Sequence, residues 1–266
     1  MIDLSVIHPS FDKPAINRLL FHPRQEATLP VEGGPEMLMI PVAEGVVLGG
    51  RFHAADTAGP TILFFHGNGE IATDYDDIGP LYVRMGINFC ALDYRGYGVS
   101  TGSPSLTDML RDAHRILDYV GPWLRLKGYD GPLVSMGRSL GSAPAVELAY
   151  RERKSIDGLI IESGFARILP LFRLLGIEDA DLQEVNGPRN VDKIKQIIQP
   201  TLIIHGQYDG IIPFDQGQEL YDAAGTEKKI LLEIPGADHN DLFFKGMRIY
   251  LETIRKFMEI VQEGKR

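Results

Sequence analysis

The chain has 266 residues, of which 44% are hydrophobic and 24% charged, and this composition excludes the disordered, collagen-like and fibrous classes. The formal net charge of -9 at pH 7 argues against a nucleic-acid partner, because binding to a polyanion needs clustered Lys and Arg side chains. The single cysteine, Cys90, cannot form an internal disulfide and lies in an apolar run, so we expect a buried side chain and a reducing compartment.

The N-terminus begins with Met1-Ile2-Asp3-Leu4, an early acidic residue without a basic region, so the sequence predicts no signal peptide. No window contains the roughly 18 apolar residues that a membrane-spanning helix requires. We therefore expect no integral membrane segment and a cytoplasmic location. Because α/β folds of this size are often one domain, we expect residues 1-266 to form a single domain.

From about Pro60 onward, strand-like and helix-like segments alternate, which predicts a parallel sheet with helices on both faces. Unbroken apolar runs fit strands that are covered on both sides. These runs lie at 61–65, 87–92, 133–136, 159–161 and 201–204, and a further strand-like segment lies at 229–234. Two earlier segments, 37–41 and 46–52, predict a leading antiparallel pair that turns at Glu44-Gly45.

Helices are predicted between these strands. Ser105 and Asp108 form a variant of the capping box and begin a helix whose apolar positions recur every three or four residues as far as Val120. A second helix is expected to start at Ser139, and a last one to span roughly 241–263. The apolar segment 168–177 breaks the alternation, and it fits either a small cap within 167–199 or an ordinary covering helix.

The motif Gly137-Arg138-Ser139-Leu140-Gly141 follows a predicted strand and precedes a predicted helix. This setting is that of a nucleophile elbow, in which serine occupies a sharp strained turn and the flanking glycines let chain segments approach closely. The strand before the motif and the helix after it make the signal much stronger than the motif alone. Ser139 is therefore the candidate nucleophile.

A serine hydroxyl needs a base to accept its proton at neutral pH. His239 lies in a loop just after the predicted strand 229–234 and is the candidate base. His8, His22, His53 and His114 fit structural roles better.

The third member must be a carboxylate that orients the imidazole. Asp209 follows the predicted strand 201–204 and is the candidate. Asp238 is a poor orienter because side chains of adjacent residues diverge, and Asp181 and Asp215 are weaker rivals on placement.

Negative charge that develops on a carbonyl oxygen needs two backbone N–H donors. The N–H of Leu140, directly after the candidate nucleophile, is expected to supply one. The other is expected from Asn68 in the loop His66-Gly67-Asn68-Gly69, which follows the strand at 61–65. His66 itself is predicted to shape this loop by hydrogen bonding.

With these pieces together, the chain resembles the α/β-hydrolase superfamily. Three segments look like the branch of serine-aminopeptidase-like and membrane-anchored α/β-hydrolase-domain proteins: LDYRGYGVS at 92–100, GSPS at 102–105 and GRSLGSAPA at 137–145. The chain order serine, aspartate, histidine is that of the family. The resemblance implies an α/β-hydrolase fold, with a mostly parallel eight-stranded sheet, helices on both faces and at most a small cap.

The resemblance also implies esterase, thioesterase or lipase-like activity on a small-molecule acyl substrate, with no metal and no organic cofactor. The cluster of Asp238, His239 and Asp241 has no second histidine or cysteine at zinc spacing, so a metal site is not expected. Asp93 and Arg95 are expected to organise a loop.

We predict a serine hydrolase that cleaves acyl esters or thioesters through an acyl-enzyme. A serine peptidase, an aminopeptidase or an acyltransferase remains open, because the same triad serves amides and alcohols. A non-catalytic ligand-binding protein on the same fold also remains open.

Overall fold

The structure, a computed structural model, describes residues 7–26 and 33–265. Within these ranges one sheet is built from the strands β1 (Glu36–Ala43), β2 (Val46–His53), β3 (Thr61–Phe65), β4 (Asn88–Leu92), β5 (Leu133–Arg138), β6 (Gly158–Glu162), β7 (Thr201–Gly206) and β8 (Lys229–Ile234). Their spatial order is β1-β2-β4-β3-β5-β6-β7-β8. The pairs β1–β2 and β2–β4 are antiparallel and all other pairs are parallel. The predicted eight-stranded, mostly parallel sheet is confirmed.

The central strands are buried along almost their whole length and mainly apolar, because both faces of the sheet are covered. Along β3, Ile62 and Phe64 point into one hydrophobic cluster, whereas Leu63 and Phe65 point into the other. Successive side chains of a strand face opposite sides, so only an unbroken apolar run fills both clusters. This requirement explains why apolar runs in the sequence predict the positions of these strands.

Eight helices surround the sheet within the described ranges: α1 (Pro14–Leu20), α2 (Gly79–Val83), α3 (Leu106–Leu126), α4 (Ser142–Arg151), α5 (Ile168–Leu174), α6 (Asn190–Ile194), α7 (Phe214–Ala223) and α8 (Leu242–Lys265). The buried residues of α2 and α8 belong to one hydrophobic cluster, and those of the other helices to the second. Each helix buries one apolar face against the sheet or its neighbours. In this part of the chain no helix combines the length and apolar character needed to span a membrane.

The predicted start of α3 is confirmed, because Oγ of Ser105 accepts a hydrogen bond from the N–H of Asp108 at 3.1 Å. The helix expected from Ser139 instead begins with a short 3-10 turn over Ser139–Gly141, and α4 starts at Ser142. Ser139 has a φ of 52°, which is incompatible with a regular helical start. Strand β5 also runs two residues beyond the predicted end at Met136.

The topology brings several loops to one edge of the sheet. After β3 the chain moves to β4 on one side, and it returns to β5 on the other side of β3. Ligand sites of open parallel sheets lie outside the carboxyl ends of the strands, where the strand order reverses in this way. The loops after β3, β5, β7 and β8 all emerge at that edge.

Candidate active site

Ser139 is the first residue after β5, at a sharp turn between the strand and α4. Its left-handed φ of 52° is rare for a serine and persists only where the surrounding structure imposes it. A Cβ on Gly137 would lie 2.0 Å from the carbonyl oxygen of Gly141, and a Cβ on Gly141 would lie 2.1 Å from that of Phe65. The two glycines therefore let the turn close and pack directly against the end of β3.

The three side chains predicted to form a triad lie together at this edge. The Oγ of Ser139 is 3.0 Å from Nε2 of His239, and Nδ1 of His239 is 2.7 Å from Oδ2 of Asp209. Asp209 follows β7 and His239 follows β8, so two neighbouring parallel strands carry the pair. The three residues are buried, with 8%, 5% and 5% of the surface of Ser139, Asp209 and His239 exposed.

The carboxylate of Asp209 is held from two sides. Its Oδ1 accepts hydrogen bonds from the N–H groups of Ile211 at 3.0 Å and Ile212 at 2.8 Å. Burial alone would raise the pKa of Asp209, but hydrogen bonds from His205, His239 and the backbone outweigh burial and hold the pKa well below its usual range. Asp209 is therefore ionised at neutral pH and fixed in orientation.

The ionised carboxylate sets the tautomer of the neighbouring imidazole. A carboxylate only accepts hydrogen bonds, so Nδ1 of His239 donates to Asp209. In the neutral imidazole Nε2 then has no proton and accepts the hydrogen bond of the Ser139 hydroxyl. This is the tautomer that a general base requires.

A second histidine lies beside Asp209 and was not singled out from the sequence. His205, at the end of β7, is fully buried, and its Nε2 donates to the carbonyl oxygen of Ile212 at 2.8 Å. The same nitrogen is 3.4 Å from Oδ2 of Asp209. Its position four residues before the candidate acid is the one sequence signal that points to it. The hydrogen bond to Ile212 fixes the loop that presents Asp209.

The loop after β3 lies against the turn of Ser139. Gly67 is its second residue, and the N–H of Gly67 donates to Oε2 of Glu70 at 2.7 Å. Within the described residues the N–H of Asn68 makes no hydrogen bond, so it is available to a ligand. The predicted loop-shaping role of His66 agrees with its position: it is fully buried, and its Nδ1 lies 2.7 Å from the carbonyl oxygen of Gly67.

The side chain of Asn68 ties this loop to the N-terminal part of the chain. Its Oδ1 accepts hydrogen bonds from the N–H of His22 at 2.9 Å and from the hydroxyl of Tyr97 at 2.7 Å. Its Nδ2 donates to the carbonyl oxygen of Leu20 at 2.5 Å. The side chain therefore holds the backbone of Asn68 in place without occupying its N–H group.

The rival carboxylates have other partners or positions. Asp181 accepts from Lys13 at 2.9 Å, and Asp215 lies in the first turn of α7. Asp241 accepts from the N–H of Asp238 at 2.8 Å and thereby closes the turn that carries His239. In the described part of the chain no group of three His, Cys, Asp or Glu side chains is arranged to hold a metal ion.

Asp93 and Arg95 both hold loops together, in agreement with the expected role. Oδ1 of Asp93 accepts from the N–H of Ala72 at 2.8 Å, and Arg95 makes two hydrogen bonds to Asp112 at 2.7 and 2.8 Å.

The thiol of Cys90 is fully buried in β4, and burial raises its pKa to about 12. A thiol in that environment is not a nucleophile at neutral pH.

A cavity of about 160 Å³ lies between α5 and the loop after Asp209. Leu171 and Leu174 line it from α5, and Ile211, Ile212 and Pro213 line it from the loop. The apolar segment 168–177 forms α5 only as far as Leu174, with Ile168 and Phe172 in the core. It serves as a covering helix toward the core and as a wall of the cavity on its other side.

Comparison with known proteins gives one matching family model and several similar proteins. The family model described as serine aminopeptidase, S33, matches residues 57–177. The alpha/beta hydrolase domain-containing protein WAV2 of Arabidopsis thaliana is 31% identical over 241 residues, which cover 82% of this chain and 78% of that protein. The chain belongs to the α/β-hydrolase superfamily.

Two further proteins differ in how much of their own length this chain covers and in their sequence identity to it. The lysophosphatidylserine lipase ABHD12 of Xenopus tropicalis is 32% identical over 217 residues, which cover 73% of this chain and 55% of that lipase. A solved structure of an esterase from Pyrococcus furiosus has a TM-score of 0.74 at 17% identity, covering 91% of this chain and 98% of the esterase. This structural likeness confirms the α/β-hydrolase fold expected from the sequence.

Proposed function

We propose that the protein is a serine hydrolase that cleaves acyl esters or thioesters, with Ser139 as nucleophile, His239 as general base and Asp209 as the group that orients the histidine. The observation that carries this proposal is a continuous hydrogen-bond chain, in which Asp209 contacts Nδ1 of His239 and Nε2 of His239 contacts Ser139. A serine hydroxyl becomes reactive when an imidazole accepts its proton. The hydrogen bond to Asp209 favours the tautomer of His239 with its proton on Nδ1, which leaves Nε2 free to accept.

In the proposed reaction, Oγ of Ser139 forms a bond to the acyl carbon while its proton moves to Nε2 of His239. The electron pair of the carbonyl bond moves to the oxygen and gives a tetrahedral oxyanion. When this intermediate collapses, the bond to the alcohol or thiol breaks, and the leaving group takes the proton from Nε2. Water then attacks the acyl-enzyme by the same proton path and releases the acid.

The oxyanion is proposed to bind to the backbone N–H groups of Leu140 and Asn68. The contact between the turn after β5 and the loop after β3 supports this proposal, because an oxyanion needs two preorganised donors close together. The N–H of Asn68 makes no hydrogen bond within the described residues, and the anchored side chain keeps that N–H in place. A donor fixed before the reaction costs no reorganisation when charge develops.

The acyl group is proposed to occupy the cavity beside α5. Its lining is dominated by Leu, Ile, Phe and Pro side chains, which favour a hydrocarbon chain over a polar group. It adjoins the loop of Asp209 after β7, and β6 separates β7 from β5, the strand that precedes Ser139. In this proposal residues 1–266 form a single domain and the segment 167–199 acts as a small cap; both assignments, and a cytoplasmic location, stay predictions.

The names of relatives favour an ester substrate. ABHD12 is described as a lysophosphatidylserine lipase, and the Pyrococcus protein as an esterase. The matching family model is described as a serine aminopeptidase, which favours amide cleavage as the second candidate function. The same triad attacks both carbonyl types, so measured rates must separate them.

The first test compares Ser139→Ala with wild type, using p-nitrophenyl butyrate and a fluorophosphonate probe. Loss of the nucleophile is expected to lower kcat by at least about 10⁴-fold and to abolish covalent labelling. Ser135→Ala, which truncates a buried serine in β5, is the matched control and is expected to retain both signals. Full labelling of Ser139→Ala would contradict the assignment of the nucleophile.

A second test compares acyl esters and thioesters of increasing chain length with an aminoacyl amide. Esters or thioesters are expected to have the higher kcat/KM. A preference for the amide would favour a peptidase, and acyl transfer to an added alcohol would favour an acyltransferase. A wild-type protein that forms no probe adduct would point to a binding protein without turnover.

A further inference from the structure

Arg138, directly before Ser139, has a buried guanidinium group that the proposed reaction does not use. Its side chain is 12% exposed. Its Nη2 donates to the carbonyl oxygen of His239 at 2.8 Å and to Oδ1 of Asn240 at 3.3 Å. Arg138 thus contacts the backbone of the loop that carries the histidine.

The same guanidinium contacts the loop after β3. Its Nη1 donates to Oε1 of Glu70, whose Oε2 accepts from the N–H of Gly67 at 2.7 Å and from the hydroxyl of Tyr75 at 2.6 Å. A Cβ on Gly67 would lie 2.6 Å from Nη1 of Arg138, so the guanidinium packs against the loop backbone. Through Glu70, Arg138 also holds the segment that presents the N–H of Asn68.

A third contact fixes the guanidinium to the sheet. Its Nε lies 3.2 Å from Oε1 of Glu162 at the end of β6, and Oε2 of Glu162 accepts from the hydroxyl of Tyr250 at 2.6 Å. Burial alone would lower the pKa of Arg138, but the carboxylates of Glu70 and Glu162 raise the pKa above its usual value. Arg138 therefore stays cationic although it is buried.

We infer that Arg138 is a positioning residue that joins the histidine loop and the oxyanion loop to the nucleophile turn as one unit. The inference rests on the proposed function for its catalytic consequence. A guanidinium suits this role because its planar array of five N–H donors reaches several acceptors at fixed angles. A lysine ammonium is a compact point charge and cannot hold the same acceptors together.

The test compares Arg138→Lys with Arg51→Lys, because both replace a buried arginine that is paired with a carboxylate. Arg51 lies on β2 and pairs with Asp76, and neither residue contacts the triad or the oxyanion loop. Both variants keep the positive charge, so their losses of thermal stability are expected to be similar. Only Arg138→Lys is expected to lower kcat for p-nitrophenyl butyrate, by about 10- to 100-fold, with KM within about threefold.

A double-mutant cycle with Glu70→Gln tests the coupling between the two loops. Glutamine keeps an oxygen for the N–H of Gly67 but loses the charge that pairs with Arg138. If the pair acts as one unit, Arg138→Lys combined with Glu70→Gln loses no more kcat than the poorer single variant. Losses that multiply would overturn the coupling.

Hydrogen exchange separates this inference from the proposed function, because it needs no turnover. The amides of residues 66–70 and 236–241 are expected to exchange at least fivefold faster in Arg138→Lys than in wild type or Arg51→Lys. Unchanged exchange in both loops would overturn the positioning role, whatever the activity. Faster exchange in a protein whose wild type forms no fluorophosphonate adduct would refute the proposed function and leave the positioning role standing.

Discussion

The two sides of the site are held by different forces. On one side, the loop after β3 is fixed by directional hydrogen bonds: Gly67 to Glu70, and Asn68 to Leu20, His22 and Tyr97. On the other side, α5 is anchored mainly by apolar side chains in the core, and Leu174 on its outer face is 57% exposed.

This difference matches what each side is proposed to do. Stabilising an oxyanion requires donors at fixed distances and angles, and hydrogen bonds fix both. Accepting a hydrocarbon chain requires only apolar surface of about the right shape, since hydrophobic burial has no direction. We therefore expect substitutions on the first side to reduce the rate for every substrate, and those on the second to change substrate preference.

The largest effect is expected from Asp209→Asn. The amide of asparagine would donate toward Nδ1 of His239 and force the imidazole proton onto Nε2, where the proton of Ser139 must go. We expect kcat for p-nitrophenyl butyrate to fall about 10⁴-fold. Asp215→Asn, the substitution of a rival acid in α7, is the control and is expected to stay within twofold of wild type; a wild-type rate for Asp209→Asn would exclude Asp209 as the orienting acid.

An intermediate effect is expected from Asn68→Ala. The change leaves the backbone N–H in place and removes the four side-chain hydrogen bonds that anchor it. We expect kcat to fall about tenfold for short and long esters alike, equivalent to about 1.4 kcal/mol of transition-state stabilisation. Asn17→Ala, the control, alters the same N-terminal region away from the loop and should leave kcat unchanged. A loss of kcat for esters of only one chain length would contradict the expectation that this loop affects every substrate equally.

The smallest effect is expected from Leu174→Trp, at the wall of the cavity beside α5. The larger side chain should reduce kcat/KM for octanoyl esters roughly three- to tenfold and leave acetyl esters unchanged, because only the long chain reaches the filled space. Leu126→Trp, at an 87% exposed position at the end of α3, is the control. Equal losses for both esters would show that α5 does not set acyl preference.

Much of this architecture follows from the sequence. A strand buried on both faces favours an unbroken apolar run, and such runs predict β3 with its observed bounds and β4 within one residue. The proposed triad residues could be placed because each comes shortly after a strand of the parallel part of the sheet, and parallel strands end at one edge. The side chains of Ser139, Asp209 and His239 lie within hydrogen-bond distance of one another there, and their catalytic roles stay predictions.

The contacts of Arg138 and Asn68 could not be predicted in the same way. Arg138 reaches Glu70 across 68 residues and His239 across 101, and Asn68 reaches His22 across 46. Contacts between residues this far apart in the chain leave no periodic pattern in the sequence, because they depend on where the side chains point once the sheet has formed. The sequence leaves the choice between a cap and a covering helix for residues 168–177 open for the same reason, and the cap stays a prediction.

The burial of Cys90 has a practical consequence for studying this enzyme. The chain has one cysteine, and its thiol is fully inside β4. Maleimide dyes will therefore leave the native protein unmodified, and a cysteine introduced at the surface, as in Leu174→Cys, will take up the dye alone. A fluorophore placed there would test whether acyl chains bind at the proposed site beside α5, without any background signal from the rest of the chain.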